Sequence, residues 1–520
     1  MTAEPLPRAD VIESTNPATG AALPPVPMST PSEVADTIAR ARAAQAGWAA
    51  LPLEERIQAV KALVRRMLER QDEATTVMSG ETGRGKTECM MSELASIDAF
   101  GKMAISAARE ALAPHKVKLP KLEYPGKRAV VELVPRGVVA IIAPWNYPLG
   151  NFFKSLMPAL LSGNAVVLKP SEHTPRTAVW LKEQCDRVFP RDLVGLVQGD
   201  GRVGQLLLEG AVDAVVFTGS VRTGKKVSAL AGERLIPCSV ELGGKDAAIV
   251  LADCDLDRTV AGIGYWALHN AGQNCAAIER VYVEEAIADT FVKRLGRLME
   301  HLQVSTGEGL SDLGPLQNRQ QLDIVRRHVQ EAVAQGAVTV CGGEPTGHGL
   351  GYRPTLLDRC TQAMTVVSEE TFGPVLAVVR VKNAEEAVRL ANDSAYGLNG
   401  SVWTRDIERG EALARRLEVG VALVNNHALT GIMPEMPWTG VKDTGPGVAS
   451  SKYAYHTFAR PRTVFIDSGK DPDPWWFPVN PDLDALGHAL IDRSLGSFMA
   501  TFRLLGLLKK RVAAIRKLAN

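Results

Sequence analysis

The sequence predicts an α/β protein built on parallel sheets. Between 145 and 250 the short apolar runs Ala165–Leu168, Leu193–Val197, Ala214–Phe217 and Ala247–Leu251 alternate with stretches long enough for helices. Strands separated by helices argue for βαβ units and a parallel sheet. The pattern resumes after 280, with Val281–Val283, Ala337–Val340, Val375–Val381 and Val421–Val424 as further strands. A chain of 520 residues has room for roughly two to four domains, each with its own core.

Taken in order, residues 31–112 read as helices. Val60, Leu63, Val64 and Met67 fall at i, i+3, i+4 and i+7 and mark one apolar helix face. Segment 129–143 is two β-rich runs broken at Pro135–Arg136–Gly137, a hairpin-like signal. Residues 468–484 form a Pro- and Asp-rich connector. In the tail, 487–520, Asp492 is the one acidic side chain against seven basic ones. Phe498, Phe502, Leu505, Leu508, Val512 and Ile515 recur at three- and four-residue steps, which predicts a helix with one apolar face. Such a helix suits a peripheral, non-spanning membrane contact, each basic residue adding about 1 kcal/mol on anionic lipid. Trp475, Trp476 and Phe477 just upstream suit an interface. The alternative is that this face packs on the protein itself or on a neighbouring subunit.

Composition excludes several classes. Lys plus Arg is 59 and Asp plus Glu 58, so no global charge points to a nucleic-acid partner. The seven cysteines contain no Cys-x-x-Cys pair, which predicts reduced thiols in a cytoplasmic protein and neither a disulfide framework nor a zinc site. His269 and His427 lack a second ligand at metal spacing, so no metal is expected. The start, MTAEPLPRAD, lacks the basic and apolar regions of a signal peptide. No apolar run reaches the roughly 18 residues of a membrane span. Gly80 to Thr87 matches the phosphate-loop pattern G-x4-G-K-[ST]. That chemistry needs a preceding strand, and residues 60–79 are helical in pattern, so the expected structure is a polar turn between helices.

Six short motifs carry the chemistry. Pro144-Trp145-Asn146 follows a strand, as does Lys169-Pro170-Ser171-Glu172. Phe217-Thr218-Gly219-Ser220 leads to Gly224, and Glu241-Leu242-Gly243-Gly244-Lys245 comes next. Gly272-Gln273-Asn274-Cys275 and Glu369-Glu370-Thr371-Phe372-Gly373-Pro374 complete the set. In this order the chain, from about residue 10 to about 467, resembles the aldehyde dehydrogenase superfamily. Glu241 precedes Cys275 by 34 residues and Asn146 precedes Lys169 by 23, spacings like the family's.

The resemblance implies oxidation of an aldehyde to a carboxylic acid with NAD, or NADP, by a non-acylating enzyme. Cys275 would be the nucleophile, since a thiolate adds to a carbonyl carbon. The Asn146 amide and the Cys275 backbone N–H would hold the resulting oxyanion. Glu241 would activate the water that hydrolyses the thioester. A standard G-x-G-x-x-G fingerprint is absent. Instead Gly219, Ser220 and Gly224 would form a turn opening a helix whose end receives the pyrophosphate. Lys169 and Glu172 would reach the adenosine ribose, where a carboxylate favours a free 2′-hydroxyl and therefore NAD. Trp145, Glu370 and Phe372 complete the implied cofactor contacts, Glu370 at the nicotinamide ribose and Phe372 near the ring. Lys154, eight residues after Asn146, either meets a substrate carboxylate or snorkels at the surface.

The implied architecture is a Rossmann-like cofactor domain (1–122 and 145–242), an α/β catalytic domain (243–440), a β oligomerisation arm (123–144 and 441–467) and a C-terminal connector and tail (468–520). A paired arm predicts a homodimer or a dimer of dimers. Met436-Pro-Trp-Thr-Gly440-Val-Lys stands where relatives often carry a Pro-Phe-Gly-Gly-like segment, which leaves the aldehyde open. Two alternatives of the same fold are a coenzyme A-acylating enzyme, against which Glu241 counts, and a catalytically silent scaffold, against which the intact Cys275, Glu241 and Asn146 count.

Overall fold

The computed structural model describes residues 10–121 and 124–519. Of the start MTAEPLPRAD, where no signal peptide is expected, residues 1–9 lie outside the described residues. The chain divides into two compact units: Val134–Arg460 with the residues up to Leu112, and Ala113–Leu133 with the residues from Pro461 onward.

The larger unit contains a five-stranded sheet in the order Val194–Leu196, Ala165–Lys169, Val138–Ile142, Ala214–Thr218, Cys238–Glu241. Every neighbouring pair is parallel. Val138–Ile142 and Ala165–Lys169 are buried throughout, as continuous apolar strands covered on both faces should be. The chain moves outward from Val138–Ile142 on one side, then returns to continue on the other. The winding therefore reverses between Val138–Ile142 and Ala214–Thr218, and the crevice outside the carboxyl ends of such strands is where ligands bind. Pro144–Asn146 and Gly219–Ser220 leave the sheet at that crevice.

Helices cover this sheet. Pro31–Ala50 opens with a capping box between Thr30 and Glu33. Leu53–Glu69 buries Ile57, Val60, Leu63, Val64 and Met67, the face the periodicity predicts. Gly80 to Thr87 spans the end of the helix Gln71–Thr82 and the start of Lys86–Cys89, with Gly83 in a left-handed conformation at φ 67°. No strand precedes it, so it lacks the context of a phosphate loop. It is also less solvated than a polar turn: Arg84 is buried and ion-paired with buried Glu93. Glu93 also accepts the backbone N–H groups of Leu149 and Gly150 at 2.8 and 2.9 Å. The turn thus braces the segment that follows Asn146.

A second, seven-stranded sheet runs Val338–Cys341, Thr355–Asp358, Val375–Val381, Ile278–Glu284, Asp246–Val250, Asn399–Trp403, Val421–Val424. Its pairs are parallel except the first, which is antiparallel.

Two parts of the expected arm lie elsewhere. Lys127–Pro135 and Val138–Ile142 do not pair as a hairpin. Val138–Ile142 is the middle strand of the five-stranded sheet, because its uninterrupted apolar run suits two covered faces. Residues 441–458 stay with the larger unit: Thr444 donates to the Gly243 carbonyl at 2.8 Å, and the Tyr455 hydroxyl donates to the Ala104 carbonyl at 2.8 Å. The turn at Gly445 and Gly447 runs against Val240, where any β-carbon would clash.

The smaller unit holds a three-stranded sheet ordered Ala459–Asp467, Lys127–Pro135, His115–Val117. Its tail forms two helices, Pro481–Ser494 and Phe498–Ala519, joined through Gly496 at φ 92°. The buried stripe differs from the predicted one. Ala500, Leu504, Arg511 and Ile515 face inward, while Phe498, Phe502 and Leu505 stay exposed. Phe498–Ala519 carries more than one apolar stripe, and the shorter helix covers one of them, around Leu486 and Ala489. Arg511, counted among the tail's surface charges, is internal and donates to the carbonyl of Pro474 and to Asn480 Oδ1 at 2.9 and 2.7 Å. Among the described residues, no helix is long and apolar enough to cross a membrane.

Candidate active site

Cys275 follows an unusual stretch of chain. Asn270, Ala271 and Gly272 are all left-handed, at φ 55°, 53° and 70°. For the two that carry side chains this costs about 1–2 kcal/mol each, so the surroundings must impose it. Asn270 Nδ2 donates to the Asn146 carbonyl at 2.8 Å, and Gln273 Nε2 donates to the Pro315 carbonyl at 3.1 Å. The Gln317 N–H donates to Gln273 Oε1 at 2.8 Å. A β-carbon on Gly272 would lie 2.1 Å from the Gly373 oxygen, and one on Gly244 would lie 2.1 Å from the Cys275 oxygen. Three of the six motifs therefore converge in backbone contact around one thiol.

The thiol lies on a wall shared by two concavities. One is a cavity of about 180 Å³ lined by Glu241, Lys154, Asn151, Thr218 and an aromatic group that includes Phe153 and Trp438. The other is a wider cleft of about 940 Å³ lined by Trp145, Asn146, Gly219, Ser220, Glu370 and Phe372 among others. Cys275, Asn151 and Thr218 line both. Asn146 is buried, and its side-chain amide donates to the Gln273 carbonyl at 3.1 Å while its oxygen accepts from Asn151 Nδ2 at 3.1 Å. One amide hydrogen remains for a further acceptor.

Burial dominates the electrostatics. It pushes the Cys275 thiol up to about 12 and the Glu241 carboxyl up to about 7, with the Lys154 ammonium opposing both. The resting thiol is therefore protonated at neutral pH, while Glu241 is poised between its two forms. Glu370 is pushed up to about 8, first by burial and then by Glu279. The Gly244 N–H donates to Glu370 Oε1 at 3.0 Å.

The cleft has the features a dinucleotide needs. Ser220 caps the helix Val221–Glu233, its hydroxyl accepting from the Thr223 N–H. A β-carbon at Gly219 would meet the Phe217 ring at 2.7 Å, and one at Gly224 would meet the Leu242 side chain at 2.2 Å, so a larger residue at either position would have to displace that side chain. Gly224 itself packs behind the turn, outside the cleft lining. Lys169 and Glu172 also lie outside that lining, but His173, the next residue, is in it. Lys169 is buried and Glu172 half-buried at the carboxyl end of Ala165–Lys169. Trp145 and Phe372 meet edge to face at 5.4 Å.

Glu279 escaped the sequence reading. Its carboxylate accepts the N–H groups of Thr371 and Phe372, each at 2.8 Å, and pairs with buried Lys245. It locks Glu241–Lys245 to Glu369–Pro374. The available signal was the charged pair Glu279–Arg280 opening a strand that continues Val281-Tyr282-Val283, since buried charges need partners. The aromatic residues of the cavity gave no comparable signal. His427, read as structural, is buried beside Ser401 at 3.0 Å and Asp246 at 3.5 Å, and Lys154 faces the cavity instead of snorkelling.

The aldehyde dehydrogenase family model matches residues 6–464. A 4,4′-diapolycopene aldehyde oxidase of Methylomonas sp is 35% identical over 473 residues, 90% of this chain and 88% of that protein. A putative NADP+ succinate-semialdehyde dehydrogenase of Mycolicibacterium smegmatis is 36% identical over 464 residues, 88% of this chain and 89% of that protein. Among solved structures, a Mycobacterium tuberculosis aldehyde dehydrogenase complexed with NAD+ superimposes with a TM-score of 0.84 at 33% identity, covering 90% of this chain and 96% of that one. On fold, motif order and coverage together, the chain belongs to the aldehyde dehydrogenase family and is an NAD(P)-dependent oxidoreductase of aldehydes.

Proposed function

We propose that Cys275 carries the oxidation at the wall between cavity and cleft, with the aldehyde on the cavity side and the dinucleotide in the cleft. The observation that supports this most is that Cys275 lines both concavities while Glu241 lines the cavity. The thiol's proton passes to bulk water, directly or through the Glu241 carboxylate that lines the same cavity, and its sulfur attacks the carbonyl carbon. The Asn146 amide and the Cys275 N–H receive the oxyanion of the thiohemiacetal. NAD(P)+, when bound, takes up the hydride. The sulfur then holds a thioester, and Glu241 takes a proton from the water that attacks it, releasing the acid and restoring the thiol. A carboxyl at about 7 suits that base, being ionised in a useful fraction at neutral pH.

For the cofactor, the helix beginning after Ser220 offers backbone N–H groups to the pyrophosphate, with Gly219 giving close approach and Gly224 serving from behind, where the helix packs on Leu242. Lys169 and Glu172 serve the adenosine ribose, and Glu172 gives a preference for NAD over NADP. Trp145, Glu370 and Phe372 serve the nicotinamide half. The two curated relatives differ by name in their aldehyde, so those names alone do not choose a substrate. The decisive assay is reduced-cofactor production from an aldehyde panel with and without coenzyme A. Turnover that needs coenzyme A would move the enzyme to the acylating class. No turnover of any aldehyde would favour a scaffold.

A second reading concerns the tail. Leu490, Ile491, Leu495, Phe498, Met499, Phe502 and Leu505 are exposed around the join of its two helices, with Arg493, Arg503, Lys509 and Lys510 nearby in sequence. An apolar group flanked by basic residues fits a peripheral contact with anionic lipid. Sedimentation with anionic liposomes should fall on truncation after Pro478, and equal sedimentation would remove this reading. The largely exposed strand Ala459–Asp467 supports a homodimer or dimer of dimers through edge pairing. Dissociation of the truncated chain into subunits would instead place the tail at a subunit interface. The seven free cysteines fit a reducing cytoplasm.

A further inference from the structure

The Asn146 carboxamide proposed to receive the oxyanion could face either way by shape alone, and its neighbours decide. The Gln273 carbonyl accepts from Asn270 Nδ2 and from Asn146 Nδ2, each at 3.1 Å. That oxygen can only accept, so the nitrogen of Asn146 must face it. A reversed amide would set two oxygens against each other. The main chain of Asn146 is held as well, its carbonyl accepting from Asn270 Nδ2 at 2.8 Å. The far end of the carboxamide, Oδ1, turns to Asn151, whose Nδ2 donates to it at 3.1 Å. Asn146 thus uses its oxygen and one amide hydrogen within the protein and keeps the other hydrogen for an acceptor.

Asn151 is the second residue of the helix Gly150–Leu161. Helical side chains lean toward the N-terminus, which directs this one back toward Asn146. The start of the helix is itself held. The Asn151 N–H donates to the Tyr147 carbonyl at 3.1 Å. Glu93, paired with buried Arg84, accepts the N–H groups of Leu149 and Gly150. The turn at Gly80 to Thr87 therefore reaches Asn146 through Glu93, the helix start and Asn151. Asn151 also lines both the cavity and the cleft, as Cys275 does. We infer that Asn151 is a positioning residue for the oxyanion donor: it holds the Asn146 carboxamide by its oxygen, so that the free N–H of Asn146 meets the aldehyde oxygen as the sulfur attacks. A hydrogen bond to an amide oxygen also polarises the amide and strengthens the bond its N–H donates. As the C–S bond forms, the carbonyl π pair moves onto oxygen and meets that N–H, and no proton leaves Asn151. This deepens the reading of Cys275 as nucleophile and Asn146 as oxyanion donor, and rests on it.

The test is a double-mutant cycle. It reads the rate at which the first reduced cofactor forms, with saturating NAD+ and enzyme in excess of aldehyde. Asn146→Ala should slow that step by about 100- to 1000-fold, the cost of losing one oxyanion donor. Asn151→Ala should slow it by about 3- to 10-fold, the range of one neutral hydrogen bond. In the Asn146→Ala background, Asn151→Ala should add less than about 2-fold, because the group it holds is gone. A role confined to packing or to substrate binding would slow both backgrounds alike, and that result would overturn the inference. Asn151→Asp keeps the shape and removes the donor, so it should lose at least as much as Asn151→Ala. Wild-type speed in Asn151→Asp would also overturn the inference, and this variant carries the test if Asn151→Ala fails to fold. Asn146→Ala at the wild-type rate would overturn the oxyanion reading and this inference with it. A slow Asn146→Ala with equal effects of Asn151→Ala in both backgrounds would fault the role of Asn151 alone.

Discussion

On the cleft side of Cys275 the walls are largely turns that end strands, and backbone sets their shape: Gly219 beneath the Phe217 ring, Gly243 against Glu370, Gly244 against the Cys275 carbonyl. On the cavity side they are side chains from helices and late loops, among them Phe100, Lys154, Tyr265 and Trp438. Close backbone approach leaves few residue choices, whereas a cavity can be walled by many combinations of similar volume. The difference predicts where substitutions act. Changes at the shared wall should stop the reaction, changes in the braces beneath it should unfold the protein, and changes on one side should alter the cofactor or the aldehyde alone.

Cys275→Ala should have the largest effect, a loss of at least about 10⁴-fold in turnover with NAD binding retained. Rate assays and cofactor titration would check it. Activity lost in Cys341→Ala but kept in Cys275→Ala would refute the assignment. Glu93→Gln should act on stability, since it leaves buried Arg84 without its counter-charge. Breaking such a pair costs about 3–5 kcal/mol, readable by denaturant unfolding. A fully stable variant would show that the turn at Gly80 to Thr87 does not brace the site.

Gly244→Ala should lower kcat/KM by about 100-fold, the cost of misplacing reacting groups by roughly 1 Å. Its β-carbon meets backbone that has little freedom to yield. Circular dichroism should stay native, so that the loss reads as geometry. Glu172→Ser should leave aldehyde preference alone and reduce the NAD over NADP ratio by about tenfold, because a like charge facing the 2′-phosphate is removed. An unchanged ratio would place the selectivity elsewhere.

The same contrast explains what was legible in the sequence. Three strands of the five-stranded sheet, Ala165–Lys169, Val194–Leu196 and Ala214–Thr218, and the cleft motifs were readable because burial on two faces and close backbone approach each restrict residue choice, whereas the edge strand Cys238–Glu241, buried only at its middle, gave no apolar run. Segment 129–143 misled because two adjacent β runs look alike whether they pair with each other or enter different sheets. The tail misled because i, i+4 counting finds an apolar stripe without saying which stripe a neighbouring helix covers. Glu279 and Lys154 were missed or undecided because their partners, Lys245 and Trp438, are remote in sequence.

The central claim is that Cys275 forms a thioester whose hydrolysis needs Glu241. Rapid mixing of Glu241→Gln with NAD+ and aldehyde tests it most directly. Burial holds Glu241 at about 7, so the wild-type steady rate should also fall as the pH drops through that value and the base becomes protonated. The variant should release about one reduced cofactor per active site and then stall, with the acyl group on Cys275 detectable by mass spectrometry. If Glu241 also deprotonates the thiol, the burst will be slower but will still end in a stall. Steady turnover near the wild-type rate would contradict the account.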